Sequence, residues 1–178
     1  MKKLNIGCGR DILPGWTNID YVKFTGIDMC FDLNKLPYPF EDCEIDEILM
    51  SHCLEHLENP ILVIEELARI LKQGAKLTIK VPHFSSSGAF SPLHRTYWHS
   101  RIFNHYVNGT RWQTNSLDER TSLIFNNVDK KIVFTKGIFF FNYIIEFFVN
   151  INDTAQLVYE DHFAFIFPAH EIIAKFIK

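Results

Sequence analysis

Residues 45–82 read IDEILMSHCLEHLENPILVIEELARILKQGAKLTIKVP, and their punctuation decides the fold class. Ile45 to Ser51 alternates enough apolar residues for a strand ending at Ser51-His52. Asn59 is placed to cap a helix, and Pro60 stands at its first position, where a missing N–H costs nothing. Val63, Ile64, Leu67, Ile70 and Leu71 recur on one face, and Glu65 and Arg69 are spaced to pair on the other. Gly74 suits a left-handed end to that helix. Lys76 to Val81 then sets Leu77, Ile79 and Val81 on one side of a strand that Pro82 stops. Strand, helix, strand in this order is a βαβ crossover, so the spacing predicts an α/β domain with a mainly parallel sheet.

Working outward toward the first residue, three shorter apolar runs precede this unit. Leu4 to Ile6 runs into Gly7-Cys8-Gly9. Thr17 to Asp20 follows the turn at Pro14-Gly15, and Ile27 to Leu33 forms a third strand. On the other side, His83 to Trp112 reads as loop, rich in Ser, His and aromatic residues. Lys131 to Phe134 predicts a strand. Ile138 to Ile151 predicts a helix on which Asn142, Glu146 and Asn150, four residues apart, form one narrow polar stripe. His162 to Phe167, with alternating Phe, predicts a strand buried on both faces. Pro168 opens an expected final helix through Ile177.

The chain has 178 residues, 47% hydrophobic and 22% charged, with a net charge of −3. That is a folded, single-domain composition over 1–178, with a front half of 1–82 and a Phe-rich back half of 83–178. Near-neutral charge argues against a general nucleic-acid binder. The four cysteines include no CxxC pair, so a thiolate zinc site or redox dithiol is not expected. MKKLNIGCGR holds too short an apolar run for a signal peptide, and a reducing cytoplasm is the expected location. The 138–151 helix would span about 21 Å at 1.5 Å per residue, too short to cross a bilayer. It is read instead as a core helix, a lid or a homodimer interface.

Three strand ends carry candidate chemistry. Glycines at 7 and 9 let a ligand approach the backbone closely. Asp20 is placed to accept both hydroxyls of a ribose, and Asp32 to reach an adenine amino group. Each has a plainer reading as turn or cap chemistry. Together they predict a nucleoside pocket at the carboxyl edge of the sheet.

The stretch from Asp32 to Pro82 resembles the class I S-adenosylmethionine-dependent methyltransferases, in a small branch with a shortened nucleotide-binding front end. The residues that carry the resemblance are Asp32, Leu36-Pro37-Tyr38, Leu54-Glu55-His56 and Leu71-Lys72-Gln73-Gly74-Ala75. It implies a Rossmann-like sheet with helices on both faces and an abbreviated front end. It also implies binding of S-adenosylmethionine. By position, Gly7, Cys8 and Gly9 would approach the methionine part and Asp20 would hold the ribose. Asp32 and the Leu33 backbone would hold the adenine, with Ser51 and His52 beside the sulfonium. Two features depart from the family pattern. Ten residues separate Gly9 from Asp20, too few for the usual first helix of about three turns. The family's Gly-Gly is here Gly74-Ala75.

His52 and His56 stand at i, i+4, as a helical zinc pair would. The order is HCLEH rather than HExxH, and no third ligand lies nearby in sequence, so no metal is expected. Glu55 and His56 are read as capping or packing groups. From Leu67 to Leu117 there is no acidic residue, against seven Lys or Arg and four His. Within it, His83, Arg95, Tyr97 and Trp98 are candidate contacts for a small anionic acceptor. The plainer reading is a solvated basic loop paired with the acidic front half. His94 and His52 are the candidate bases for an oxygen or nitrogen acceptor. The function expected is methyl transfer to such an acceptor. The alternative is a non-catalytic nucleoside- or partner-binding module on the same scaffold. A nicotinamide oxidoreductase is disfavoured, since GxGxxG is incomplete.

Overall fold

The computed structural model of the protein describes residues 1–107, 124–137 and 139–178. Its seven strands form one sheet. They are β1 (Lys3–Ile6), β2 (Thr17–Asp20), β3 (Met29–Cys30), β4 (Ile45–Ser51), β5 (Leu71–Pro82), β6 (Asn127–Val133) and β7 (Glu171–Ile177). The sheet order is β3-β2-β1-β4-β5-β7-β6, with β1 to β5 parallel and β7 antiparallel to both its neighbours. The order reverses between β1 and β4, and a crevice opens at the carboxyl ends of strands there.

Helix α1 (Pro60–Ile70) follows the sequence pattern at its start: the Asn59 side chain accepts from the Leu62 N–H and Pro60 is at the first position. Its end differs. The helix stops at Ile70 and Leu71 is already extended. Gly74 does take a positive φ of 75°, but inside β5, where the register against β4 shifts between Ile45 and Glu47. Arg69 pairs with Glu66 and Asp42 and donates to the Phe40 carbonyl at 2.9 Å, while Glu66 accepts from the Tyr38 N–H, which closes the 38–42 turn onto α1.

Residues opposite one another across the strands share a face. One face carries Leu4, Ile6, Ile19, Ile48, Met50, Leu77, Ile79, Ala174 and Phe176, all fully buried. Helix α1, Phe103 and Tyr106 pack onto it in one core. The other face carries Lys3, Glu47, Lys76, Lys80 and Lys175, with Glu47 paired to Lys3 at 2.7 Å and to Lys76 at 3.9 Å. The expected helices on both faces are therefore narrowed: among the described residues, helices pack on the apolar face or along the β6 edge. Over β1 and β2 the polar face is covered by a turn. Asn5 and Asn18, both buried, bond each other at 2.9 Å and reach the carbonyls of Asp11 and Leu13. A side-chain network replaces the missing first helix.

The back half is assigned differently from the expectation. His162 to Phe167 is no strand: helix α3 (Asp153–His162) ends there in a turn. The expected final helix is strand β7, whose alternate residues Ile172, Ala174 and Phe176 are buried. Two-residue periodicity there outweighs the helix start offered by Pro168. Helix α2 (Phe141–Val149) lies inside the expected span, and Ile138 lies outside the described residues. Its polar stripe faces inward. Asn150 bonds both the N–H and the carbonyl of Ile132, and Glu146 accepts from the Phe134 N–H at 3.0 Å. The stripe satisfies the free edge of β6, and the helix turns its apolar side outward.

Candidate active site

At the switch point a cavity of about 530 Å³ is lined by Gly7, Gly9, Asp20, Tyr21, Asp32, Leu33, Asn34, His52, Cys53, His56 and Leu57. Gly7 has φ 63°, and a Cβ there would stand 2.2 Å from the Cys53 sulfur. Only glycine lets β1 and the chain leaving β4 come this close. The Gly9 N–H donates to Asp20 Oδ2 at 2.8 Å, and the Val22 N–H to Oδ1 at 3.0 Å. Asp20 thus fixes the glycine turn and presents acceptor lone pairs to the cavity. The Asp32 carboxylate accepts from the Asn34 N–H at 3.0 Å, and the Tyr38 hydroxyl donates to the Leu33 carbonyl at 2.9 Å. The strand ends read from the sequence are brought together.

Two of the residues assigned to the cofactor do not line this cavity. Cys8 is buried, its N–H bonded to the Ile19 carbonyl, and burial raises its thiol pKa. Ser51 sits in the β4–β5 ladder opposite Lys80. Tyr21, Asn34, Cys53, His56 and Leu57 were not singled out for it. The Cys53 thiol is pushed up to about 12 by burial, so it is a packing group rather than a nucleophile.

His52 has a positive φ of 50°, a conformation uncommon for a non-glycine residue. Its Nε2 is 3.0 Å from Glu171 Oε2 and its Nδ1 is 3.6 Å from Glu55 Oε1. The bond to Glu171 and the nearby Glu55 carboxylate push its pKa up to about 9. An imidazole protonated at neutral pH is a poor base, which corrects the role read for His52. Glu171 is absent from the sequence reading, being 119 residues from His52.

On the acceptor side, His83 and Trp98 are corrected as contacts. His83 is fully buried, with Nδ1 2.8 Å from Ser85 Oγ and Nε2 3.4 Å from Glu160. Burial would raise the Glu160 pKa, but His83 and the Ser100 N–H hold it low. Trp98 is 3% exposed and stacks on Phe103. Tyr97 is exposed beside Phe90. Arg95 is exposed and 3.4 Å from Glu58, and Arg101 bonds Asp161 at 2.7 Å. Much of the basic stretch is thus matched by acids within the fold, and Arg111 lies outside the described residues. His94 is nearly buried, its Nδ1 3.1 Å from the Ala89 carbonyl and its Nε2 4.0 Å from Glu55.

No helix among the described residues is long and apolar enough to cross a membrane. An uncharacterized protein of Methanocaldococcus jannaschii is 36% identical over 80 residues, 45% of this chain and 38% of that protein's length. Among solved structures, a SAM-dependent methyltransferase from Archaeoglobus fulgidus matches at TM-score 0.60 and 16% identity, covering 99% of this chain and 86% of that one. A SAM-dependent methyltransferase from Thermotoga maritima matches at 0.59 and 14%, covering 99% and 82%. Haemonchus contortus phosphoethanolamine N-methyltransferase 2 matches at 0.56 and 14%, covering all of this chain and 49% of that one. These likenesses show a shared fold. The profile of a methyltransferase domain matches residues 1–120, two thirds of the chain and every strand end around the cavity, so the protein belongs to the methyltransferase domain family.

Proposed function

We propose that this protein transfers the methyl group of S-adenosylmethionine to an oxygen or nitrogen of a small acceptor. The observation that carries this is the convergence of Gly7, Gly9, Asp20 and Asp32 on one cavity at the sheet's switch point. The donor set fits the cofactor. Asp20 offers a carboxylate to a ribose diol, Asp32 and Leu33 flank the place of an adenine, and the glycine turn leaves room for the amino-acid end. S-adenosylmethionine supplies an electrophilic methyl group when bound. The chain's part is to align the acceptor with that carbon, and alignment supplies much of the rate in such displacements. His52, protonated between Glu171 and Glu55, faces the same cavity and suits an anionic group on the acceptor. His94 remains the candidate base, since its Nδ1 is held by a carbonyl. We also keep the cytoplasmic placement, which the four free cysteines fit.

The experiment is calorimetric titration with S-adenosylmethionine and S-adenosylhomocysteine, followed by an acceptor screen reading S-adenosylhomocysteine release. Micromolar binding, about −8 kcal/mol, is expected. Absence of binding by the folded protein refutes the reading.

A second observation favours self-association. Phe140, Tyr143, Ile144, Phe147 and Phe148 on one side of α2, and Phe165 and Ile166 beyond α3, are each more than half exposed. At roughly 150–250 Å² per ring, the patch exceeds the few hundred Å² usual on a monomer and matches the ~800 Å² each partner contributes to a stable interface. We propose that a second copy of the chain covers it.

A further inference from the structure

The Glu55 carboxylate is 1% exposed, and neither of its oxygens has a hydrogen-bond partner among the described residues. A buried carboxylate whose nearest donor is a histidine nitrogen, His52 Nδ1 at 3.6 Å, is rare, because it has lost its water and gained no full hydrogen bond. Around it the fold gathers what the sequence does not show. His56 is the next residue, and His94 comes from the loop after β5. One ring nitrogen of each histidine and a Glu55 oxygen all lie within 4.8 Å of one another. We propose that Glu55, His56 and His94 hold a divalent transition-metal ion at the acceptor end of the cofactor cavity.

Three features of the site support this. First, both histidines are oriented as ligands. Nδ1 of His56 is 3.1 Å from the Leu93 carbonyl, and Nδ1 of His94 is 3.1 Å from the Ala89 carbonyl. A carbonyl accepts only from N–H, so each ring is set with its lone pair on Nε2, the arrangement metal-bound histidines use. Second, the ligand loops are tied together before any ion arrives. The Arg95 N–H donates to the Glu55 carbonyl at 2.8 Å, fastening the 93–95 segment to the 54–56 turn. Third, the set is three-sided. Two imidazoles and a carboxylate supply three ligands, and His56 stands in the cavity wall, so a fourth position would be left to a group from the cavity. Sites that keep an open position are those that bind substrate. Metal–ligand distances of about 2.0–2.2 Å require the three groups to close inward by about an ångström, within reach of side-chain rotation.

Two imidazoles and one carboxylate suit zinc, cobalt, iron or manganese better than magnesium or calcium. The sequence reading missed the site because its third ligand is 38 positions from His56, across helix α1 and strand β5. The metal site itself does not rest on the methyl-transfer reading, but its use does. There His94 would serve as a ligand in place of a base: the ion would meet the acceptor's oxygen or nitrogen and lower its pKa, so that no free base is needed.

The test uses the full chain, stripped with chelator and titrated with Co²⁺, whose visible absorbance reports ligand number and type. Zn²⁺, Mn²⁺ and Mg²⁺ then compete for the same signal. One Co²⁺ per chain is expected, displaced by Zn²⁺ and not by Mg²⁺. Glu55→Gln and His94→Ala should weaken it about 100-fold or more, given that loss of outer supporting groups alone costs 10–100-fold. Cys30→Ser, at an exposed thiol, should leave it unchanged. The ion should raise the Tm of the wild type and not that of His94→Ala. No saturable binding by the wild type overturns the proposal, as does equal binding by Glu55→Gln and His94→Ala. Titration with S-adenosylhomocysteine in the absence of metal is read separately. Its failure strikes the methyl-transfer reading and leaves the metal site standing.

Discussion

Replacing Gly7 by alanine tests the architecture of the cavity at its tightest point. The new Cβ would lie 2.2 Å from Cys53 Sγ and 2.6 Å from Cys53 Cβ, at a residue with φ 63°. Two costs add. A side chain in the left-handed region costs roughly 1–2 kcal/mol, and overpacking against a buried neighbour about 1–3 kcal/mol. Gly7→Ala should therefore lose about 2–5 kcal/mol, a large part of the stability of a domain this size. The two terms separate in a double-mutant cycle with Cys53→Gly, which removes both clashing atoms. In that background Gly7→Ala should cost only the backbone term, leaving a coupling of about 1–3 kcal/mol. Urea unfolding of the four proteins measures it. Titration of the same four with S-adenosylhomocysteine shows whether binding follows the position of the glycine turn. Additivity within about 0.5 kcal/mol would refute the claim that this contact is what requires glycine.

Asp20→Ala should weaken S-adenosylhomocysteine binding by roughly 10- to 150-fold, the loss of one or more charged hydrogen bonds of about 1.5–3 kcal/mol, with Asp20→Asn intermediate. Calorimetry reads it, and an unchanged Kd would remove Asp20 from the ribose site. Phe148→Glu in the exposed face of α2 should convert a dimer into a 20.9 kDa monomer in sedimentation equilibrium; a monomeric wild type would refute the interface. Glu66 is held below the usual carboxylate range by its bonds from Arg69. A lowered folded pKa contributes stability above the unfolded value, about 4.3, and loses it as pH falls through the folded value. Acidification from roughly pH 6 to 3 should therefore lower the wild-type Tm more than that of Glu66→Gln, and equal slopes would show that the pair contributes nothing.

The front half was legible because its physics is local. Asn59-Pro60, the apolar period of α1 and the alternation of β5 each act within a few residues of chain. The strand ends that carry Gly7, Asp20 and Asp32 then converge by the parallel order alone. The back half was read less well for a reason visible in α2. Its stripe of Asn142, Glu146 and Asn150 has the form of a solvent-facing side, yet the free edge of β6 takes it up. Periodicity shows that a helix has two unlike sides, and not which one is buried. His83 was misread in the same way. A histidine after a strand end looks available until a distant acid, here Glu160, is found to face it.

The same distance effect shows how the back half serves the site. Antiparallel pairing sets Glu171 opposite Pro82. The first residue of β7 therefore stands at the carboxyl end of β5, beside the end of β4. From there its carboxylate reaches His52, whose N–H is already bonded to the Lys80 carbonyl. His52 is thus fixed by β4, β5 and β7 at once, with its backbone in a conformation that needs such support. An antiparallel β7 brings Glu171 to the carboxyl edge of the parallel strands. A parallel β7 would start at the opposite edge. The orientation of this one strand ties the Phe-rich half, with its exposed apolar face, to the histidine in the wall of the switch-point cavity. Any partner that shifts α2 and α3 along β6 acts on strand neighbours of Glu171, since Val133 is its register partner.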